Sequence, residues 1–421
     1  MAVFYTIIKI FLGLWWLWLP VLLAVLFIEL WVKYLRIKAI KKIKWLLLEV
    51  KVTRDIEKTP KAMEQIFSGL HGILTKVKFL DKYFKGKVQE WFSFEIAGID
   101  GIVYFFIRTP ENFRNLVEAQ IHAQYPDAEI LEVLDYAASL SKKIPSEAYD
   151  ISGVEFILEK DDYYPIRTYL SFEEKEKERR LDTMASFLEI LSKVGPNENI
   201  FIQYLIKPTG EKDWVEKGLE AINKLMGKKT EARKTLFGSF FEEINEFIIN
   251  LLKAIAIYPE WGEAKKEEAK PAIQNLSPGG KVVVEAIENK ISKIAFKVCI
   301  RFAYIAGKDI FNRANMAAVG GAFRQFNTLN LNAFKGNSKA GTSVDQPRII
   351  PFIKNRREFI RKVAFVDRYI NRKMSKNKKD FILNIEELAT IYHYPILTVE
   401  TPTMRRVEAK KAEPPVSLPV E

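Results

Sequence analysis

The chain has 421 residues, 48% of them hydrophobic, with 65 Lys or Arg against 53 Asp or Glu, a formal charge of +12. That apolar share supports folded cores and excludes a wholly disordered chain. The single Cys299 excludes an intramolecular disulfide framework and a cysteine-based zinc site, and it fits a reducing compartment.

The first element is the most distinctive. Ile10 to Ile28 is nineteen residues without a charge, which as a helix roughly matches a ~30 Å hydrocarbon layer. No small-x-small cleavage site follows it. Instead come Glu29 and Trp31, then a basic flank of Lys33, Arg36, Lys38, Lys41, Lys42 and Lys44 without an acid. Lys9 is the only charge on the other side. The sequence therefore predicts a short outside N-terminus (1–9), a membrane-spanning helix (10–32) and a basic juxtamembrane segment (33–44). By the positive-inside rule the rest of the chain is cytoplasmic and the protein is single-pass. The alternative is a buried helix of a soluble protein, against which stand Trp15, Trp16 and Trp18 and the one-sided flank.

Residues 45–140 read as β-α-β-β-α-β. Trp45 to Thr53 is a strand, Thr59-Pro60 opens a helix with the stripe Met63, Ile66, Phe67, Leu70, and Gln89 to Ala97 alternates as a strand. A tight turn at Gly98 to Gly101 leads to a strand at Ile102 to Arg108, a helix from Thr109-Pro110 to about Tyr125, and a strand at Ala128 to Val133. This is the ferredoxin-like order. Residues 150–334 read as a looser copy. Its expected strands are Ile166 to Phe172, Asn199 to Lys207 and Lys293 to Ile305, with helices after Asp182 and over Asp309 to Phe326. The stretches 106–126 and 304–326 share a strand, a polar turn and a Phe-and-Asn helix start, which suggests duplication. A helical insertion, 208–291, carries an acidic amphipathic helix at Leu236 to Tyr258, which packs either within the chain or on a partner. The expected class is thus α+β: one membrane helix, two tandem ferredoxin-like modules and a basic helical C-terminal region.

Residues 335–379 hold fourteen Lys or Arg and three acids. Within them, 335–353 reads as a Gly/Ser/Lys linker and the following stretch as a basic amphipathic helix carrying Arg356, Arg357, Arg361, Lys362, Arg368, Arg372 and Lys373. That helix has three readings: a solvated face of a packing helix, phosphate contact with nucleic acid, or contact with anionic lipid. Strand aromatics at Trp91, Phe92, Phe94, Tyr104, Phe105 and Phe106 offer stacking surfaces for a single strand. The remainder is a segment up to Pro395 and a Pro-rich tail, 396–421.

Catalytic signatures are absent from the sequence. Gly336 to Ser343 has P-loop spacing of its glycines but lacks the Lys that must follow the second one. His71, His122 and His393 are widely separated, and the Glu242/Glu246 and Glu386/Glu387 pairs have no acid–base context. The expectation is a protein that is not an enzyme and holds no cofactor or metal.

The C-terminal wording is recognisable. Gly321-Ala-Phe-Arg-Gln-Phe-Asn-Thr-Leu-Asn-Leu-Asn332, Ile382 to Thr390 with Ile391-Tyr-His-Tyr-Pro395, and Glu413-Pro-Pro-Val-Ser-Leu-Pro419 resemble the segment before the P-loop in membrane-anchored coupling-type ATPases of the HerA/FtsK superfamily. Thr59 to Gly72 and Phe113 to Tyr125 are similar to the region after their anchor. Here the chain reaches Glu421 without a Walker motif, so the resemblance implies membrane anchoring and assembly but not ATP hydrolysis. It implies a component of a type IV secretion or conjugation-like DNA-transfer system that docks a separately encoded ATPase. The expected contacts are the basic helix and Asn384, Glu386, Glu387, His393 and Pro395. The alternative is a membrane-tethered nucleic-acid-binding module. Partners so implied are the membrane, the ATPase, DNA and a second copy of the chain.

Overall fold

The computed structural model describes Tyr5, Lys9 and residues 13–53, 58–140, 144–172, 182–210, 212–227, 276–344, 351–374 and 380–395. The expected helix at Leu236 to Tyr258 and the Pro-rich tail lie outside these residues.

Helix α1 (Trp15–Lys41) is long and apolar enough to cross a membrane. It does not stop near residue 32 but continues through most of the basic segment, which contains no Gly or Pro to end it. Leu17, Leu22, Phe27 and Ile28 face outward along it. Lipid accommodates such a surface and water does not.

Next come β1 (Trp45–Lys51), α2 (Lys61–Leu70), α3 (Phe79–Phe84), β2 (Phe92–Ile99), β3 (Ile102–Pro110), α4 (Arg114–Gln124) and β4 (Glu129–Val133). After α5 (Tyr136–Leu140) follow β5 (Tyr149–Leu158), α6 (Ala185–Ser192) and β6 (Glu198–Pro208). Two helices, α7 (Lys212–Leu225) and α8 (Pro278–Ile291), pack on each other in a unit of their own, 212–292. The main unit resumes with β7 (Ala295–Gly307), α9 (Ala314–Phe323), β8 (Phe334–Gly336), α10 (Pro351–Ile370), β9 (Phe381–Asn384) and α11 (Ile385–Ile391).

The main unit is built on one antiparallel sheet ordered β4-β1-β3-β2-β6-β7-β5-β8, with β9 added to β7. The first four strands follow the order fourth-first-third-second, with α2 and α4 in the two crossovers. β5 to β8 follow the same order read inward from the outer edge to the seam, with α6 and α9 in the equivalent crossovers. The halves join edge to edge where β2 pairs with β6, from Phe92↔Ile206 to Ile99↔Asn199. Each half thereby hides the strand edge that would otherwise pair with another chain.

Two expectations are corrected. The first strand of the second half is β5 and not Ile166 to Phe172, where the regular element is a short 3-10 turn. Backbone donors there are satisfied by side chains of α11: Ile166 N–H by Glu387 at 2.9 Å and Tyr169 N–H by Thr390 at 2.9 Å. The expected linker is in part folded. Residues 334–336 form β8, and Thr342 Oγ1 both accepts from Gly153 N–H at 2.9 Å and donates to its carbonyl.

Alternation along the strands divides the core. Phe94, Ile96, Ile202, Tyr204, Ile300 and Phe302 face α2, α4, α6, α9 and α11 in the larger cluster. Ala97, Phe201, Ala303 and Ile305 face α5 and α10 on the other side. Both faces of the sheet are therefore covered, and Trp91, Phe92, Phe94, Phe105 and Phe106 are buried and not available for base stacking.

Candidate functional site

The basic helix α10 lies over a row of polar residues in the middle of the sheet. Glu95 on β2 pairs in register with Gln203 on β6, Gln203 with Arg301 on β7, and Arg301 with Glu155 on β5. Gln203 Nε2 donates to Glu95 at 3.1 Å and Arg301 to Gln203 Oε1 at 3.2 Å and to Glu155 at 2.9 Å. From above, Arg368 donates to Glu155 at 2.9 Å, and Arg372 donates to Glu95 at 2.9 and 3.1 Å and to Asp135 at 2.5 and 2.8 Å. Three guanidinium groups thus meet three carboxylates. Tyr136 O–H donates to the Glu95 carboxylate at 2.6 Å and lies 2.7 Å from the Tyr369 hydroxyl.

The end of α10 is shaped by this row. Arg372 has a left-handed backbone, φ 46°. Its N–H bonds Tyr369 O, and Lys373 N–H bonds Arg368 O. This is a Schellman ending, whose left-handed position glycine usually fills. An arginine there accepts backbone strain on the order of 1 kcal/mol, and its fully buried side chain gains two carboxylate partners. Arg301 donates to the carbonyls of Arg368 and Lys373, meeting the negative end of the helix dipole. Farther along, the Phe365 ring sits where any Cβ on residue 153 would be, so Gly153 sets how closely α10 approaches β5.

Burial works against the Glu95 charge, but Arg372 outweighs it and, with hydrogen bonds from Ser93 and Tyr136, holds the carboxyl below its ordinary 4.5. A group depressed in the folded state contributes stability that is complete above its unfolded value and lost as pH falls through the folded one. Acid titration of stability should therefore steepen below about pH 4.5, and Glu95→Gln should flatten that limb in a denaturant series across pH. Cys299 lies beside Trp91 and Leu205, and burial pushes its thiol up to about 12. A thiol reagent should leave it unlabelled in the native protein and label it on unfolding.

Of the expected contact residues, most are engaged internally. Arg361 donates to the carbonyls of Ser338 and Ser343, Lys362 to Asp150, and Arg368 and Arg372 to the polar row, while Lys373 pairs with Asp367 at the surface. Asn384 and Glu387 form a capping box on α11. Glu386 pairs with Lys293, and His393 sits 2.9 Å from Asp182 and 2.8 Å from Ala389 O. Pro395 is buried. Tyr392 and Tyr394 pack edge-on against Phe94, Phe105, Tyr125 and Tyr204. The 384–395 stretch is core of the main unit and offers little surface to a partner.

The most exposed part of the basic region is the first half of α10. Residues 351–357 are exposed, including Arg356 and Arg357. Phe352 is 74% exposed, Phe359 55% and Ile360 56%, with Ile353 and Val363 beside them. At 100° per residue these five side chains form one stripe, with Arg356 within it and Arg357 at its border. Lys362 on Asp150 and Phe365 on Gly153 place the middle of α10 at the start of β5, and the exposed half precedes these contacts. The foot of α1 packs elsewhere on the same face: Ile40 lies against Trp91, Leu205 and Cys299. Along β7 the two places are eight residues apart, from Cys299 to Gly307, or about 26 Å of strand.

Among the described residues the chain thus has one candidate membrane helix, an antiparallel sheet covered on both faces and an exposed basic-apolar helix face. Residues 36–406 match the family described as a domain of unknown function, DUF8128, and the chain belongs to that family. No curated protein matches it.

Proposed function

We propose that the protein is a non-enzymatic, membrane-anchored component of a type IV secretion or conjugation-like DNA-transfer system, and that it docks a separately encoded HerA/FtsK-like ATPase. In this reading α1 spans the cell membrane with the N-terminus outside and the sheet in the cytoplasm. The two halves of the sheet are ferredoxin-like modules produced by duplication. Their shared strand order and crossover placement support this.

The observation that carries the docking role is the uncovered stripe on α10. Exposed aromatic and branched side chains at helical spacing are how a helix enters a partner's groove. Along β7 the start of β5, over which the middle of α10 lies, is about 26 Å from the foot of the anchor, so the stripe and the anchor occupy separate parts of the sheet. Arg356, exposed within the stripe, favours a groove with an acidic rim. The resemblance to coupling-type ATPases supplies the partner's class. The docking residues move accordingly, from the 384–395 segment to Phe352, Arg356, Phe359, Ile360 and Val363.

The test is a photo-crosslinking phenylalanine analogue at position 352, irradiated in native membranes. An adduct with a P-loop ATPase supports the proposal. An adduct with nucleic acid supports instead the membrane-tethered nucleic-acid-binding reading, and no adduct overturns both.

A further inference from the structure

The foot of α1 carries a second feature that the docking role does not use. Lys207 and Lys297 are directly opposed on β6 and β7. Like charges in that position destabilise a sheet. Ile40 packs over the pair two residues farther in, Leu205 and Cys299, and Arg36 stands one helical turn before Ile40, within electrostatic reach of Lys207. Lys297 and Arg36 are exposed and Lys207 is half-buried. None of the three has a hydrogen bond or ion pair to a described residue. Among the described residues Asp380 is the carboxylate in reach of Lys207, one acid against three cations.

The surroundings point toward a bilayer surface. α3 packs on α1 and exposes Leu80 and Phe84 beside it. The backbone at Gly86 presses so closely on Leu35 that a Cβ there would overlap it, which fixes α1 against this corner. Phe27, Trp31 and Tyr34 follow one another along α1 at ring separations of 6.1 Å, and Trp and Tyr are residues that settle at headgroup depth. Apolar side chains and a cation triad that the described residues compensate only in part therefore share the place where the helix leaves the sheet.

We propose that Arg36, Lys207 and Lys297 form a site for the phosphate headgroup of an anionic phospholipid, which fixes how the sheet stands on the membrane. The site rests on the reading that α1 is membrane-embedded. The bound phosphate offsets the repulsion between the paired lysines, and the acyl chains lie along α1 beside Leu80 and Phe84.

The test uses full-length protein in nanodiscs of phosphatidylcholine, with and without phosphatidylglycerol, following thermal unfolding and bound lipid by native mass spectrometry. Wild type should unfold at a higher temperature in the anionic discs and retain phosphatidylglycerol. Lys207→Gln with Lys297→Gln should lower that retention roughly 25-fold, at about fivefold per cation. In phosphatidylcholine alone the double variant should unfold at a temperature equal to or above wild type, because the repulsion is gone. The same anionic shift in both proteins would overturn the site, as would an equal shift from inorganic phosphate added to phosphatidylcholine discs. Carbonate extraction of native membranes separates the two failures. Release of the protein would refute the anchor itself, whereas retention without lipid dependence refutes only the site.

Discussion

Arg372→Met is expected to destabilise the main unit by about 3–5 kcal/mol, measured as a lower urea midpoint for the detergent-solubilised protein. The substitution removes both partners' cation at once. Glu95 is fully buried on β2 and would keep Gln203, Ser93 and Tyr136 but lose its compensating charge. Asp135 would lose its guanidinium as well. The apolar stem of Met fills much of the vacated volume, so the loss is electrostatic more than a packing defect. Combining Arg372→Met with Glu95→Leu should recover a large part of it, since removing both members of a buried pair is far less harmful than removing one. If the single variant unfolded within 1 kcal/mol of wild type, on the order of a surface change, the polar row would not be what holds α10 to the sheet.

The second large effect is on binding and leaves the fold nearly untouched. Phe359→Glu with Ile360→Glu changes two side chains that face solvent, so stability should move by no more than about 0.5 kcal/mol per site. In the docking reading both lie at the centre of the contact, where an aromatic or aliphatic anchor is typically worth 2 kcal/mol or more. Together they should weaken partner capture by a factor on the order of 100 or greater, from about 1.4 kcal/mol per tenfold. The added charges also meet an acidic rim and repel it. The contrast with Arg372 is diagnostic: one variant loses its fold with its partner, the other only its partner.

Much of the architecture is legible from residue patterns. The Gln89 to Ala97 alternation and the Asp100-Gly101 turn predict the hairpin of β2 and β3, and the first half's order of elements follows from helix starts at Thr59-Pro60 and Thr109-Pro110. The seam between the halves was not legible. Two edge strands with similar apolar patterns carry no mark of pairing with each other rather than with water or another chain. β5 is hard to read because Gly153 and Glu155 interrupt one of its apolar sides, yet these are residues on which α10 rests.

The polar row leaves a signal that composition hides. Glu95 in FSFEIAGI, Gln203 in IFIQYLIK and Arg301 in KVCIRFAYI are each a polar residue between two large apolar neighbours in the middle of a strand. Such a residue in a strand covered on both faces needs a buried partner, and three of them in adjacent strands predict one another. The cations of α10 misled for the opposite reason. A basic helix face reads as solvated or ligand-binding, and nothing in the helix itself reveals that Arg361, Lys362, Arg368 and Arg372 are answered by residues up to 277 positions away. His393 and Glu387 misled likewise, because a polar phrase near a chain's end looks like surface until its partners at Asp182 and Ile166 are known.

The most direct measurement is affinity capture of the full-length protein from native membranes, wild type beside Phe359→Glu/Ile360→Glu, with mass spectrometry of what is retained. The proposed function predicts that wild type retains a HerA/FtsK-like P-loop ATPase and that the double variant, equally folded and equally membrane-bound, does not. Recovery of no such ATPase by wild type, or equal recovery by both proteins, would contradict it.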